Sequence, residues 1–255
     1  MIRKLGIFYF FMVSILLAHG PNFNLAEDAK KRGDYKSALK YMLKQLDTDL
    51  DTYGENAKET LMSYSKAGYY SEKIGEYDKA LEYNFKALKI QKKLNENDST
   101  EASTYNNIGG IYSKLKKYKD ALEYYFKSLK IQKIVFGNNH RVASITYNNI
   151  AGVYRKQEKY KEALDYYYKA LEIRKESLGK EHYTTALSHS NIGLVYFKQG
   201  KHQEALDELA KTLKIQEKIF GNEHSFTKKT QNNITYIKNE MMKIIKRSAD
   251  EKSKL

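Results

Sequence analysis

Between Ser103 and Val142, apolar and small side chains recur at helical spacing in two runs separated by the polar pair Lys116 and Lys117. The first run sets Tyr105, Ile108, Gly109 and Tyr112 at i, i+3, i+4 and i+7, one narrow stripe along a helix. The second run does the same with Tyr118, Ala121, Leu122, Tyr125, Ser128 and Leu129. Two helices joined by so short a turn run antiparallel. Gly109 and Ala121, the small members of the facing stripes, mark where axes roughly 8–10 Å apart leave least room for side chains.

This hairpin repeats along the chain. Ala121, Ala163 and Ala205 follow one another at 42-residue intervals, as do Tyr112, Tyr154 and Tyr196, and Gly137, Gly179 and Gly221. A period of this size means stacked units, each too small to bury its apolar face alone. Gly137, Gly179 and Gly221 follow the second helix, where glycine closes the last turn in a left-handed conformation, and Gly54 is placed likewise. Gly33, Gly75 and Gly200 take the inter-helix turn that Lys116 and Glu158 take in the middle units, which carries the register back to Asn22. Five hairpins are predicted, at 22–54, 56–96, 99–137, 141–179 and 183–221, the third opened by a capping box from Asp98 to Glu101. A sixth first-type helix near 225–246 has no second helix after it. Its Ile234, Ile237, Met241 and Ile244 form a stripe suited to cover the end of the stack; the competing reading is an amphipathic membrane-surface helix, basic at Lys238, Lys243 and Lys246. Residues 247–255 read as a disordered tail, leaving residues 21–246 for the repeats.

Composition agrees with helices and narrows the chemistry. A single proline, with abundant Lys, Glu, Ala, Leu and Tyr, makes the class all-α. The formal charge is +14, part of it from Arg3 and Lys4. Lysines alternate with acidic residues along helix faces, as at Lys117, Lys119, Asp120, Glu123 and Lys127, the pattern of a solvated, ion-paired surface. The absence of cysteine excludes disulfides, thiol catalysis, thiolate metal sites and a lipidated cysteine. Residues 1–20 read as a signal peptide or an N-terminal membrane anchor: basic Arg3 and Lys4, an apolar stretch over 5–18, then Ala18 and Gly20, with Pro21 disfavouring cleavage. The expected destination is therefore periplasmic, secreted or membrane-anchored. In a eukaryote, Ser253, Lys254 and Leu255 spell a competing peroxisomal address. Asn97-Asp98-Ser99 and Asn233-Ile234-Thr235 are glycosylation sequons where the host glycosylates.

The repeat units, with aromatic, x, x, apolar, small, x, x, Tyr in the first helix and Tyr, x, x, Ala, an aromatic and Ala-Leu in the second, resemble the tetratricopeptide repeat. Against the basic length of about 34 residues, these units are similar to the lengthened repeats of kinesin light chains and related bacterial and protist proteins. Tyr147-Asn148-Asn149-Ile150-Ala151, and Gly137 with His140 three residues on, carry the likeness to that subtype. It spans residues 22 to about 246 and is strongest from Tyr105 to His224. Arg141, Tyr183 and Ser225 stand where the subtype has proline, and the first unit keeps only Leu25 and Ala26 of its stripe. Nothing outside the repeats resembles a coiled coil or motor-binding segment, so cargo transport is not implied. What the resemblance implies is a right-handed superhelical solenoid of stacked hairpins, non-enzymatic and without cofactor, that binds an extended protein or peptide segment in a concave groove.

Candidate groove residues come from the face opposite the packing stripe. At about 100° per residue, Asn106, Asn107, Gly110 and Lys114 point away from the hairpin partner, on the side that lines such a groove. Asn107 recurs as Asn149, Asn191 and Asn233; Lys114 recurs as Lys156 and Lys198, with Lys73 in the second unit. They persist while neighbours change: Ser103 becomes Ile145 and Leu187, Gly110 becomes Leu194, and Tyr105 becomes His189. A carboxamide donates and accepts, so a row of them can pair with a peptide main chain whatever its side chains. Hydrogen bonding between adjacent helices is the competing role. By resemblance, Asn107, Asn149, Asn191 and Asn233, beside Asn106 and Asn148, hold ligand backbone. Lys66, Lys73, Lys114, Arg155, Lys156 and Lys198 favour acidic residues or a free carboxylate. The alternative function is a basic module binding anionic membrane or nucleic acid. His140, His182 and His224 recur at the repeat period, so a helix spacing of roughly 8–10 Å separates them, too far to share one metal ion. They are read as turn residues. No nucleophile–base set, phosphate loop or carboxylate pair stands out. The tyrosines, among them Tyr124, Tyr125, Tyr166 and Tyr167, fall mostly on packing stripes.

Overall fold

The computed structural model describes residues 20–94, 99–137 and 140–252. The expectations for the leader, for the Asp98 end of the capping box, for the sequon at Asn97 and for the C-terminal Ser-Lys-Leu lie outside the described residues. Every regular element within them is an α-helix: α1 (Pro21–Lys31), α2 (Tyr35–Tyr53), α3 (Lys58–Lys73), α4 (Tyr77–Lys93), α5 (Ser99–Lys114), α6 (Tyr118–Phe136), α7 (Arg141–Lys156), α8 (Tyr160–Leu178), α9 (Tyr183–Lys198), α10 (His202–Phe220) and α11 (Ser225–Lys252). The all-α class and the hairpin repeat are as expected. The chain divides within α6, after Ile131, into two compact units. In the first, α1 packs on α2 and α3 on α4, with α2·α3 and α4·α5 joining the hairpins. In the second, α7 packs on α8 and α9 on α10, joined through α8·α9, and α11 lies on α10.

The inter-helix turns are built by backbone hydrogen bonds that need one residue at positive φ. After α7, the Lys159 N–H donates to the Tyr154 carbonyl at 2.9 Å and the Glu158 N–H to Arg155 at 3.1 Å, a Schellman closure. Lys116 and Glu158, both at φ 60°, hold without glycine the place that Gly200 takes at φ 75°. The glycines after the second helices differ from the expected left-handed helical state. Gly179 has φ 95° and ψ 158°, a region open essentially to glycine alone. There the chain passes from the end of α8 into a tight turn, with the His182 N–H donating to the Gly179 carbonyl at 3.4 Å, rather than continuing its coil.

That turn ends at a histidine cap. The Nδ1 of His182 accepts the Thr184 N–H at 3.1 Å, and His140 and His224 do the same for Val142 at 3.3 Å and Phe226 at 3.2 Å. The three periodic histidines are N-caps, occupying a role more often filled by Ser, Thr, Asp or Asn. His182→Ala is accordingly expected to cost about 1 kcal/mol of stability and His182→Asn much less, measured by urea titration.

The packing stripes form the core. Ile108, Ile150 and Ile192, equivalent positions in successive first helices, are fully buried, as are Ala121, Ala163 and Ala205 across from them. Polar rungs, which the hydrophobic pattern did not disclose, tie the ends of α2, α6, α8 and α10 each to the next first helix. Ser63 donates to Asp49 at 2.5 Å, Thr146 to Gln132 at 3.1 Å, and Thr230 to Gln216 at 2.7 Å, while Arg174 donates to Ser188 at 2.8 Å. Each pair is fourteen residues apart and buried, so each rung fixes helix register where an unpaired polar group would be costly.

Ile234, Ile237 and Met241 of α11 pack with Ala205 and Leu209 of α10. Ile244, the fourth member of the predicted stripe, is half exposed instead. The helix also runs on to Lys252, past Arg247, where a disordered tail is expected. No proline or glycine interrupts it there, and Asp250 and Glu251 follow Lys246 and Arg247 at helical spacing.

Candidate functional site

The predicted groove residues lie on the outward faces of the first helices, and three of them, Lys66, Lys114 and Asn191, are held by partners on the preceding first helix. In the first unit, Lys66 of α3 is ion-paired with Glu27 of α1 at 2.6 Å and lies over the Phe23 ring at 4.8 Å. Lys114 of α5 is paired with Glu72 of α3 at 2.8 Å. Each lysine thus reaches back to a carboxylate on the preceding first helix, stitching hairpins together and losing its charge as a lure for an acidic ligand. Lys73 is exposed beside the Tyr69 ring, and Asn107 is exposed on α5; Asn106 beside it is partly covered.

Glu27 is the hub of this arrangement. Burial alone would raise its pKa, but hydrogen bonds from Lys66, Tyr70 and Lys30 outweigh it and hold the carboxyl down to about 2. Tyr70, buried and donating to Glu27 at 2.9 Å, is pushed upward by that burial first and by the carboxylate next. The Glu27 contribution to stability is therefore present above an unfolded value of 4.5 and is lost as pH falls toward about 2. Across that window the melting temperature of the wild type is expected to drop more steeply than that of Glu27→Gln. Parallel curves would show that the carboxylate is not coupled to folding.

In the second unit the carboxamides behave similarly. Asn191 Nδ2 of α9 donates to Asn148 Oδ1 of α7 at 2.9 Å, a direct bridge between adjacent first helices. This is the competing packing role realised at one pair. Asn149 is partly buried, Arg155 has a buried Nε without a hydrogen-bond partner, and Lys156 and Lys198 are exposed. Asn233 of α11 is also exposed.

Asn191 and Asn233 nonetheless come together along one open cleft between α9 and α11. Leu187, Leu194 and Phe197 of α9 line it with Tyr236 and Ile237 of α11; Leu209 of α10 closes its floor, and Ser190 and Lys229 add polar groups. Leu187 and Leu194 are more than one-third exposed and Tyr236 is 56% exposed, large apolar side chains in water. Phe197 and Tyr236 meet edge to face across the cleft at 5.8 Å. The contributions of Leu187, Leu194, Phe197 and Tyr236 are absent from the carboxamide-and-lysine set. Their signal is in the sequence: Leu187 and Leu194 stand where Ser103 and Gly110 stand in an earlier copy, an apolar gain on an outward face.

Nearby, His189 stands where earlier repeats carry tyrosine, buried with its Nδ1 2.6 Å from Glu208 Oε2. Burial opposes ionisation of Glu208, yet His189 and Lys211 keep its pKa below the usual value. Among the described residues no cluster of three or more His, Cys, Asp or Glu side chains could hold a metal ion.

Comparison with solved structures places the fold. BtubC (BKLC) from P. vanneervenii is 23% identical over 86% of this chain and 87% of its own, with a TM-score of 0.71. The kinesin light chain TPR-like repeats of Podosopora anserina are 18% identical over 78% of this chain and 95% of theirs, at 0.66. The apo form of RapI is 21% identical over 87% of this chain and 83% of its own, at 0.68. No match is found among curated proteins. The family model for the tetratricopeptide repeat matches residues 15–93, 100–176, 142–218 and 184–240. With its repeat length, hairpin geometry and this coverage, the chain belongs to the tetratricopeptide repeat family.

Proposed function

We propose that this protein is a non-enzymatic scaffold that holds a segment of a partner protein or peptide in the cleft between α9 and α11. The observation that carries this reading is the exposure of Leu187, Leu194 and Tyr236 around Asn191 and Asn233 in one open cleft. Apolar side chains of that size are stabilised by about 1.5–3 kcal/mol each on full burial, which a bound segment would supply. Asn191 spends one side-chain N–H on Asn148 and has its side-chain carbonyl oxygen to accept an incoming main-chain N–H. Asn233 offers both groups. Selectivity for acidic ligands is not assigned to the first unit, because Lys66 and Lys114 are already neutralised there.

The test is affinity capture with the wild type at physiological salt, identification of the eluted partner, and comparison with Leu194→Glu combined with Asn233→Ala. Loss of one buried leucine contact at about 2 kcal/mol predicts binding weaker by about 30-fold or more, with helicity retained because both side chains are exposed. A partner captured equally well by the variant would remove the cleft from the binding site.

A further inference from the structure

The C-terminal end of α11 extends beyond the helix it covers. First-type helices such as α9 have 16 residues, whereas α11 has 28. Met241 is the last of its side chains to join the core shared with α10. Past it, Met242 is 54% exposed, Ile244 51% and Ile245 63%, three apolar side chains within about one turn facing water. Around the helix at about 100° per residue, Met241, Ile244 and Ile245 share one sector that continues the Ile237 stripe. Lys238 and Met242 border that sector, and Lys243, Lys246 and Arg247 fill the opposite side.

The charge around this sector is mainly positive. Between residues 238 and 247 stand Lys238, Lys243, Lys246 and Arg247 against Glu240, with Asp250 and Glu251 a turn further on. Glu240 is taken up by Lys243 at 2.8 Å, leaving Lys238, Lys246 and Arg247 exposed. A second copy of the same helix would bring these cations against their own kind. An acidic lipid surface meets both features at once: aliphatic side chains enter the headgroup boundary while long basic side chains reach back to phosphate. No helix among the described residues is long and apolar enough to cross a membrane, so the fitting geometry is a helix lying along the surface.

We infer that the exposed end of α11, centred on Ile244 and Ile245 with Lys238, Lys246 and Arg247 around them, docks on anionic phospholipid membrane. The protein then carries a surface-attachment element at one end of its second unit, separate from the α9–α11 cleft.

Co-sedimentation of the full chain with vesicles of phosphatidylcholine alone, and with about one-third phosphatidylglycerol, tests this. Binding is expected only to the anionic vesicles and should weaken steeply as salt rises from low to high. Each basic side chain near such a surface is worth about fivefold in partition, so Lys246→Gln with Arg247→Gln should weaken binding about 30-fold. Ile244→Asp with Ile245→Asp should abolish it while circular dichroism and the melting curve stay close to wild type. Equal binding to neutral vesicles, or anionic binding unmoved by both variants, overturns the assignment. So does a dimer in light scattering that the Asp variant dissociates while vesicle binding is absent, because the face would then be self-associating.

Discussion

Ile192→Ala is expected to lower the free energy of unfolding by about 2–5 kcal/mol, the range for truncating a branched aliphatic in a closed core. Ile192 is fully buried and packs with Ala151 of α7, Ala163, Tyr167 and Leu171 of α8, and Val195 of its own helix. It therefore belongs to the interface that joins the α7–α8 hairpin to α9 more than to either hairpin alone. In a stack stabilised by nearest neighbours, weakening that interface loosens everything beyond it. Amide exchange should accelerate in α9, α10 and α11 ahead of α7 and α8. Ile145, also in a first helix but 51% exposed, supplies the control: Ile145→Ala should stay within about 0.5 kcal/mol. Urea midpoints at an unchanged m-value separate the two outcomes. Similar small losses at both positions would mean that the hairpins do not depend on this interface.

A second large effect has the opposite sign from helix propensity. Alanine in a helix interior is ordinarily more stable than glycine by about 1 kcal/mol, yet Gly109→Ala is expected to destabilise by about 1–3 kcal/mol. A Cβ at position 109 would sit 2.8 Å from Cδ1 of Tyr125 and 3.1 Å from the Ala121 carbonyl oxygen. Tyr125 is buried, and the carbonyl is part of α6, so the helices must separate. Gly152 of α7, one residue past the position equivalent to Gly109, meets nothing nearer than the Tyr167 hydroxyl at 3.8 Å. Gly152→Ala should therefore gain up to about 1 kcal/mol. Thermal melts of the two variants should move in opposite directions; a gain at both positions would show that α5 and α6 are not in close contact.

The contrast between those glycines shows what was legible beforehand. The pairing of Gly109 with Ala121 followed from two periodic stripes, and the 42-residue interval placed every hairpin within a few residues of its observed ends. Periodicity of this kind reports burial, because the residues that touch the neighbouring helix are forced to be small or apolar. It says little about which polar groups find partners. Lys66 and Lys114 look like charges facing a groove until Glu27 and Glu72, nearly forty residues or more away, are brought within hydrogen-bond reach. The Asn191–Asn148 bridge and the Gln216–Thr230 rung were hidden for the same reason, since each joins different helices. His182 was recognisable as a turn residue by its spacing, but its cap depends on ring orientation and backbone geometry. The cleft was half visible. Its carboxamides lay on a predicted row, whereas the exposed Leu187, Leu194 and Tyr236 read as drift between copies or ordinary packing.

The binding reading rests on that cleft, and hydrogen–deuterium exchange of the full chain with and without its captured partner tests it most directly. Engagement of α9 and α11 predicts slowed exchange in the peptides covering 187–197 and 229–237, with little change in α1 to α4. Protection confined to the first unit, or none in α9 and α11 at saturating partner, would contradict it.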